Sequence, residues 1–281
     1  MILVTGATGN IGRAVVTALH AAGENVVVLV RNAEKAKTLL PPDVPTRVAD
    51  YADGPAVGEA MQGIEQLVFI PSDGDATDVL QHHANIITAA HHARVAHTVF
   101  ISISDLADTS PFYFTPVYRD AEQRIAEADL SCARLRCNLY AEFVRDHYLL
   151  PAVETGRFDA PLGTGQIAPV ARADVAEATI AAIRSPEHAG RIFELTGPDL
   201  LDGHDLAAAI SETHETPVVY DSIPLPDYLL NSWATQPPPW PHAFSSMAQS
   251  IAQGHYGKSA TGIQDLIGRP PTEFKALLAR S

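Results

Sequence analysis

The chain has 281 residues, of which 46% are hydrophobic, and its 33 acidic and 19 basic side chains give a formal net charge of −14. Such an acidic chain lacks the basic face with which nucleic-acid-binding proteins hold phosphates, so nucleic acid is excluded as a partner. No apolar run approaches the length of a membrane span, and the first residues predict a strand rather than a signal peptide, so we expect a soluble, cytoplasmic protein without a membrane partner.

The first predicted elements form a β-α-β unit around a glycine-rich turn. An apolar strand from Ile2 to Thr5 leads into Gly6-Ala-Thr-Gly9-Asn-Ile-Gly12, and a helix is predicted from Ile11 to Ala22. Gly6 permits a tight turn, Gly9 lets a pyrophosphate approach the backbone, and Gly12 lets the helix press on the sheet. The amino end of the helix then presents its N–H groups and positive dipole to the phosphates of a dinucleotide. The residues predicted to bind there are Gly6, Thr8, Gly9, Asn10, Ile11 and Gly12, and a turn that binds nothing is the alternative.

The second strand of this unit, predicted from Asn25 to Val30, is followed by a basic residue. Dinucleotide-binding domains selective for NAD carry an acid at this point, which binds the ribose 2′-hydroxyl. This chain has Arg31 there, followed by Lys35. Because a guanidinium suits the 2′-phosphate, NADPH (NADP) is the predicted cofactor, with Arg31 and Lys35 among its ligands. The alternative is that Arg31 stacks on the adenine and favours both coenzymes equally.

Strands continue to alternate with helices as far as residue 136. The third predicted strand, Thr46 to Ala49, ends in Asp50 and Tyr51 at the carboxyl edge of the sheet, beside the expected place of the adenine. Further strands are predicted at Leu67 to Ile70, Thr98 to Ile101 and Cys132 to Arg136, with helices between them. This alternation predicts an α/β fold with a Rossmann-like, doubly wound parallel sheet.

Histidine and cysteine residues in this half invite a search for metal ligands or disulfides. His82-His83 and His91-His92 fall on a helix predicted from Thr77 to Ala93. About 13 Å separates the two pairs, too far to share an ion, so we expect solvent-exposed imidazoles and no metal. Cys132 and Cys137 stand at odd separation on one strand, so they face opposite ways and cannot pair.

Beyond Asn138 the pattern changes to short strands mixed with helices. The predicted strands are Arg157 to Asp159, Ile167 to Val170, Ile192 to Leu195 and Val218 to Ile223. We therefore predict an NAD(P)-binding Rossmann domain at residues 1–150 and a smaller, mixed α/β substrate-binding lobe at residues 151–281. Two strands of the lobe are expected to return to the main sheet.

These motifs together resemble the NmrA-like group of atypical short-chain dehydrogenases, and most of all its bacterial branch of NADPH-dependent quinone oxidoreductases. The resemblance runs nearly end to end and rests on Val4-Thr-Gly-Ala-Thr-Gly-Asn-Ile-Gly12, Leu29-Val-Arg-Asn32, Ala49-Asp-Tyr51, Ala107-Asp-Thr-Ser-Pro111 and Phe193-Glu-Leu-Thr-Gly197. It implies that two loops embrace the nicotinamide, namely Ile70-Pro71-Ser72 and the segment containing Asn138, Tyr140 and Glu142. The alternatives are that Tyr140 and Glu142 only open a helix and that Ser72 only ends a strand.

The residue four positions after Tyr118 departs from the usual chemistry of short-chain dehydrogenases. Those enzymes place a lysine there, which stabilises the tyrosinate after proton donation. This chain has Glu122, and a carboxylate beside a phenol raises its pKa, so Tyr118 is expected to be a poor proton donor. Ser102 and Ser104, expected just past the fifth strand, stand in no matching motif.

The missing lysine favours reactions that need little help from an acid. Hydride transfer to a quinone yields a hydroquinone anion, which is far less basic than an alkoxide. We therefore predict an NADPH-dependent oxidoreductase acting on a quinone or another conjugated planar carbonyl, with Tyr118 and Tyr140 as candidate catalytic residues. Phe112, Tyr113 and Phe114 are candidates for a lid, and aromatic core packing is the alternative for each of these rings.

A second class of function stays open at this point. A dinucleotide sensor of the NmrA regulator kind binds NAD(P) and contacts a partner protein without turnover. NADPH oxidation with a quinone panel separates the two classes. If the protein is an enzyme, its expected partner is a small planar carbonyl or quinone substrate. The sequence does not decide whether the protein forms a homodimer.

Overall fold

The computed structural model describes residues 1–279, leaving aside the side chains of residues 232 and 233. Residues 280 and 281, the end of the predicted substrate lobe, lie outside the described residues. The chain forms two compact units. The first unit comprises Met1–Ser102, Val117–Arg136 and Val175–Phe193, and the second comprises Ile103–Pro116, Cys137–Asp174 and the chain from Glu194 onward. Since the units interleave along the chain, the division into domains at residues 1–150 and 151–281 stays a prediction.

Nine strands occur in the described chain. They are β1 (Ile2–Val4), β2 (Val26–Val30), β3 (Thr46–Val48), β4 (Gln66–Phe69), β5 (His97–Ile103), β6 (Cys132–Cys137), β7 (Arg157–Asp159), β8 (Ile192–Leu195) and β9 (Val219–Asp221). Seven of them form one sheet in the order β3-β2-β1-β4-β5-β6-β8. The pairs among the first five strands are parallel, with Ile2 opposite both Val26 and Gln66. The predicted Rossmann-like sheet is confirmed.

Thirteen α-helices are assigned in the same residues. They are α1 (Asn10–Ala21), α2 (Ala33–Leu39), α3 (Gly54–Ala60), α4 (Ala76–His92), α5 (Thr115–Glu127), α6 (Ala141–Val144), α7 (Leu150–Thr155), α8 (Arg172–Arg184), α9 (Gly203–His214), α10 (Leu225–Thr235), α11 (Trp240–Ala252), α12 (Gly262–Ile267) and α13 (Phe274–Leu278). A π-helical turn, Arg145–Leu149, joins α6 to α7. Within residues 1–279, no helix combines the length and apolar character that crossing a bilayer requires.

The sheet places a crevice where its strand order reverses, between β1 and β4. All residues of β1 and β2 are buried, as expected for parallel strands covered on both faces. Parallel strands end at a common edge, so the segments that follow β1, β2 and β4 meet there. In open α/β sheets this carboxyl edge at the reversal point is where ligands bind.

The second unit differs from the expected pattern of strands. Ile192–Leu195 joins the main sheet, whereas β7 and β9 form a separate parallel pair, so in the described chain one strand of the predicted lobe returns rather than the expected two. The predicted strand Ile167 to Val170 is wrong: these residues form only two isolated bridges. Pro169 lies in this segment and lacks the N–H that a regular ladder needs.

The expectation that the histidine pairs face solvent is wrong for His82 and His83. His82 is 8% exposed and His83 is fully buried, whereas His91 and His92 are exposed. The His83 ring lies edge-on to Phe69 and Phe100, at centroid distances of 5.4 and 6.0 Å. Helix α4 therefore buries a wider face than its histidine pairs indicate.

Candidate functional site

The glycine turn after β1 has a geometry that only glycine satisfies. Gly6 lies in the left-handed region with φ of +59°. A Cβ on Gly6 would lie 3.0 Å from the side chain of Ile70, and a Cβ on Gly12 would lie 2.2 Å from the Gly6 carbonyl oxygen. The sequence had suggested that Gly12 lets α1 pack against the sheet. The structure shows instead that Gly12 lets α1 pack against the glycine turn. A Cβ on Gly9 would lie 3.2 Å from the Gly6 oxygen, its one contact within 4 Å among the described residues beyond its chain neighbours.

The amino end of α1 is arranged to receive an anion. Gly9 is the N-cap residue, no described side chain caps it, and the first turn of the helix contains no acidic residue. The N–H groups of Asn10, Ile11 and Gly12 precede the first intrahelical bonds, so they and the helix dipole can act on a phosphate. Thr8 is half-buried beside them in the turn.

Tyr51 supports the glycine turn from behind. Its hydroxyl accepts a hydrogen bond from the Gly6 N–H at 2.9 Å and donates one to the Leu29 carbonyl oxygen at 3.1 Å. The residue is 6% exposed, and burial raises the pKa of its phenol, so the hydroxyl remains a donor at neutral pH. The sequence had suggested a place for Tyr51 beside the adenine. The structure shows that its hydroxyl ties the turn to β2.

A second tie joins the ends of β1 and β4. The Thr5 hydroxyl, fully buried, donates to the Ile70 carbonyl oxygen and accepts from the Ile70 N–H, both at 2.9 Å. These bonds fix the start of the loop Ile70-Pro71-Ser72 against the glycine turn. Thr5 was missed by sequence reasoning, although a threonine closing an apolar strand is a usable signal.

The basic residues after β2 are accessible to a ligand. Arg31 and Lys35 are both exposed, and Asn32 between them caps α2 by accepting from the Lys35 backbone N–H at 2.9 Å. The positive charge of Arg31 opposes the rise that burial causes in the pKa of Tyr51 and adds to the lowering of the pKa of His82, so its field reaches this edge of the sheet. Asp50 is also exposed, and its carboxylate accepts from the Ala52 N–H at 2.9 Å.

His82 is a site residue that sequence reasoning placed on the surface. Its Nδ1 lies 2.9 Å from the Ser72 hydroxyl oxygen, and its ring meets Tyr51 edge to face at 5.9 Å. Burial lowers the pKa of His82, and Arg31 adds to this, while Asp50 and Asp78 act in the opposite direction. Ser72 therefore does more than end a strand, because its hydroxyl has a buried partner.

Tyr118, a candidate catalytic residue, lies against an aromatic cluster in the first unit. Its ring is 5.5 Å from that of His83 in an edge-to-face arrangement and 6.2 Å from that of Phe100. It is half-buried and packs against the core beside these rings. The core-packing alternative thus describes part of its role, and a catalytic role for its hydroxyl stays a prediction.

Glu122 has partners that the sequence spacing did not show. It accepts from Arg136 Nε at 3.0 Å and Nη2 at 2.6 Å, and from the Ser102 hydroxyl at 2.7 Å. Ser102 lies inside β5 rather than beyond it. A carboxylate whose charge is balanced by a guanidinium raises the pKa of a neighbouring phenol less than an unpaired carboxylate does. We therefore expect Glu122 to raise the pKa of Tyr118 less than the sequence spacing alone indicates.

Asn138 fastens the backbone of the second unit. The residue is 2% exposed, its amide nitrogen donates to the Tyr256 carbonyl oxygen at 2.9 Å, and its amide oxygen accepts from the N–H groups of Leu139 and Ala168. The predicted contact of Asn138 with a coenzyme stays a prediction, and a structural role is already evident.

Tyr140 and Glu142 both contact the first residue of α8. The Arg172 guanidinium lies over the Tyr140 ring at 5.5 Å, and the Glu142 carboxylate oxygens accept from the Arg172 N–H at 3.1 and 3.0 Å. Burial raises the pKa of the Cys137 thiol to about 12, although a hydrogen bond with the Tyr140 side chain opposes this. Tyr140 is the N-cap residue of α6 but makes no side-chain cap. Their part in a coenzyme site stays a prediction.

The aromatic run Phe112, Tyr113 and Phe114 belongs to the second unit. Phe112 packs against the core of that unit, and its ring is 5.8 Å from Phe114 and 6.4 Å from Tyr256. All three are half-buried. Core packing therefore explains Phe112, and a lid formed by this run stays a prediction.

The residues around the glycine turn fit a dinucleotide. The cradle would be filled by any Cβ at Gly6 or Gly12, the amino end of α1 carries no acidic residue, and Arg31 offers an exposed cation at the adjoining strand end. No group of three or more His, Cys, Asp or Glu side chains that would hold a metal ion occurs in the described part of the chain. Cys132 and Cys137 are both buried, and they form no disulfide with each other.

Comparison with known proteins agrees with this geometry. Residues 6–186 match the NAD(P)H-binding family. The chain is 31% identical to quinone oxidoreductase 2 of Escherichia coli strain K12 over 97% of this chain and 95% of that protein. It is also 31% identical to the NAD(P)H azoreductase of Xenophilus azovorans over 80% of this chain and 78% of that protein. The crystal structure of an NADPH-dependent quinone oxidoreductase from Escherichia coli complexed with NADPH superposes with a TM-score of 0.91 at 29% identity, covering 100% of this chain and 99% of the other.

The family match covers more than half of the chain and includes the glycine turn, Arg31 and β2 to β7. The predicted resemblance is thereby confirmed. The chain belongs to the NAD(P)H-binding family and is an NAD(P)H-dependent oxidoreductase.

Proposed function

We propose that this oxidoreductase uses NADPH to reduce a quinone or another conjugated planar carbonyl compound. The observation that carries the proposal is the ion pair at Glu122. Where short-chain dehydrogenases place a lysine four residues after the tyrosine, this chain has a carboxylate held by Arg136 at 2.6 Å. A site with that arrangement favours an acceptor whose reduced form is a weak base, and quinones meet this condition.

The reaction needs little from the protein beyond positioning. When bound, the coenzyme supplies a hydride, which together with one proton converts a quinone to its hydroquinone. Because the hydroquinone anion is weakly basic, water can deliver the proton. The names of the two relatives, a quinone oxidoreductase and an azoreductase, support a flat conjugated acceptor.

Individual residues take the following proposed roles. The turn from Gly6 to Gly12 binds the pyrophosphate, and Arg31 with Lys35 binds the 2′-phosphate, which selects NADPH. The other coenzyme contacts are assigned to Asp50, Tyr51, Ile70, Pro71, Ser72, Asn138, Tyr140 and Glu142. Tyr118 and Tyr140 contact the acceptor as walls or hydrogen-bond donors.

The test follows NADPH oxidation at 340 nm with and without a panel of benzoquinones and naphthoquinones. Turnover that depends on both protein and quinone is expected. A control variant, Gly12→Val, places a side chain against the Gly6 carbonyl and is expected to abolish coenzyme binding and turnover together. Failure with every quinone, while NADPH still raises the melting temperature of the wild type, overturns the proposed acceptor.

A further inference from the structure

The second unit contains an open cavity of about 260 Å³, and its described lining includes none of the residues assigned to the coenzyme. Three aromatic side chains, Phe143, His147 and Phe244, line it together with the phenols of Tyr148 and Tyr228. Sites for drug-sized ligands span about 300–1,000 Å³, so this cavity is the size for a molecule of one or two rings.

The cavity is built around the π-helical turn Arg145–Leu149. The Leu150 N–H bonds to the Arg145 carbonyl oxygen, five residues earlier, and Pro151 follows directly. A proline has no N–H for the carbonyl four residues before it, here that of His147, and its ring would clash with that carbonyl in a regular helix. The widened turn brings both His147 and Tyr148 to the cavity. Single π-turns within helices occur often at functional sites.

One side of the cavity is a continuous aromatic wall. The rings of Phe143 and His147 are 4.5 Å apart with an interplanar angle of 39°. Phe244 lies 5.8 Å from Phe143 and 5.7 Å from His147, and Trp240 stacks behind Phe244 at 5.7 Å and 25°. Rings that face an open volume at these spacings offer a stacking surface to a further flat ring.

Tyr228 and Asn231 bring hydrogen-bond donors to the lining. The Tyr148 hydroxyl is itself buried, and burial, followed by the neighbouring Tyr228 phenol, holds the pKa of Tyr148 well above its usual value. Asn231 contributes an amide to the lining. Phenol and amide N–H groups are suitable donors for carbonyl oxygens on the rim of a ring.

The lining favours an uncharged ligand. Burial lowers the pKa of His147, and Arg172 adds to this while Asp146 opposes it, so the neutral imidazole is favoured. The acid in the lining, Asp159, is paired with Arg157 at 3.1 Å. An anionic ring would lose hydration here and would contact no Lys or Arg among the described lining residues, whereas a neutral carbonyl compound loses little.

We propose that this cavity binds the ring of a neutral, flat aromatic carbonyl compound of one or two rings, stacked on Phe143, His147 and Phe244. The identity of that ring as the electron acceptor rests on the proposed function. The binding itself rests only on the cavity.

The test uses 1,4-naphthoquinone with the wild type, Phe244→Leu, His147→Ala and the control His204→Ala. His204 is also an exposed histidine beside an aromatic ring, with Tyr220 at 5.0 Å, but it is outside the cavity lining. Calorimetry measures quinone binding to each protein in the presence of NADP⁺, where no turnover occurs, and steady-state kinetics with NADPH measures KM and kcat. The two cavity variants are expected to weaken quinone binding about tenfold and to raise KM with a smaller change in kcat, whereas His204→Ala leaves both unchanged.

The outcomes separate the two proposals. If quinone affinity and KM are unchanged in both cavity variants and turnover is intact, the proposed binding in the cavity is overturned and the proposed function stands. If the wild type reduces no quinone but binds naphthoquinone, and the cavity variants lose that binding, the cavity stands and the proposed function fails. If the wild type neither reduces nor binds naphthoquinone, both are overturned. Binding of NADPH, measured in parallel, shows that each variant is folded.

Discussion

The Ser72 hydroxyl lies 2.9 Å from Nδ1 of His82, and the same imidazole meets Tyr51 edge to face at 5.9 Å. One buried histidine thus contacts the segments that follow β3 and β4, both of which are proposed to hold the coenzyme. Because the pKa of His82 is lowered, mainly by burial, the neutral ring is favoured at neutral pH. With its proton on Nε2, that ring accepts a hydrogen bond from Ser72.

Replacing His82 by glutamine is expected to weaken NADPH binding. Loss of one hydrogen bond that fixes Ser72 amounts to about 0.5–1.5 kcal/mol, or roughly a two- to tenfold rise in the dissociation constant. Ser72→Ala should have a similar effect, and the double variant should lose less than the sum because both changes remove one contact. Titration of protein fluorescence with NADPH measures these constants. His92→Gln, an exposed position on the same helix, is the control, and additive losses in the double variant would contradict the proposed coupling.

His83 predicts how the stability of the fold depends on pH. Burial lowers the pKa of this imidazole to about 4 from an ordinary value of 6.5. The unfolded chain therefore binds a proton that the folded chain refuses, so stability is complete above pH 6.5 and is lost as the pH falls towards 4. This difference between the pKa of His83 in the folded and in the unfolded chain corresponds to about 3 kcal/mol in the free energy of unfolding.

Urea unfolding at pH 7, 5.5 and 4 checks the effect of His83. The wild type should lose stability across this range, and His83→Gln should show a shallower decline, whatever its stability at pH 7. The variant His92→Gln changes an exposed histidine on the same helix and should follow the wild type. Parallel curves for all three proteins would show that another group causes the acid sensitivity.

Tyr118→Phe is expected to reduce quinone reductase activity by less than about a hundredfold, the low end of the contribution of a positioned general acid. The reason is that Glu122, held by Arg136, stands where a lysine would activate the phenol. Measurements of kcat and of NADPH affinity separate catalysis from binding. A loss of many thousandfold with coenzyme affinity intact would identify Tyr118 as an activated acid and contradict this interpretation of the site.

Glu122→Gln is expected to destabilise the protein without changing its coenzyme affinity. The Glu122 side chain is 10% exposed and that of Arg136 is 24% exposed, so the variant leaves a largely buried guanidinium without its anion. Removal of one partner of a buried pair costs about 3–5 kcal/mol, and partial exposure of Arg136 reduces this to about 2 kcal/mol. Urea unfolding measures the loss, and Glu127→Gln, an exposed acid on the same helix, should have little effect. An equal loss in both variants would contradict a stabilising role for the pair.

Features that act over a few residues could be predicted from the sequence, and those that depend on strand order could not. The glycine turn, the start of α1 and Arg31 lie within one β-α-β unit, so their spacing carries the information. The bond from Gly6 to Tyr51 joins residues 45 positions apart and appears only when β1, β2 and β3 are paired in one sheet.

The incorrect predictions for His82, His83 and Glu122 also arise from contacts between elements that are distant in the sequence. Neighbouring positions on a helix point about 100° apart, so His82 and His83 are both buried only where the rest of the fold covers more than one face of α4, which a single helix does not reveal. Likewise Glu122 was interpreted through its own helix, whereas its partners Ser102 and Arg136 come from β5 and β6.

The preference for NADPH over NADH is expected to depend on Arg31. Its guanidinium is exposed at the end of β2, where it can bind two oxygens of a 2′-phosphate in its planar fork. Charge-assisted hydrogen bonds contribute about 1.5–3 kcal/mol each, and 1.4 kcal/mol is a tenfold change, so Arg31 accounts for roughly a ten- to hundredfold preference.

Dissociation constants of NADPH and NADH for the wild type, Arg31→Asp and Lys35→Asp decide the role of Arg31. If the guanidinium binds the 2′-phosphate, Arg31→Asp loses affinity for NADPH selectively and retains most of its affinity for NADH. If it stacks on the adenine instead, the two coenzymes lose affinity in parallel, because both carry the same ring. Lys35→Asp makes the same change of charge one helical turn away and should have the smaller effect, since an ammonium is strongly hydrated and has no planar fork. Equal affinities of the wild type for the two coenzymes would contradict the assignment without any variant.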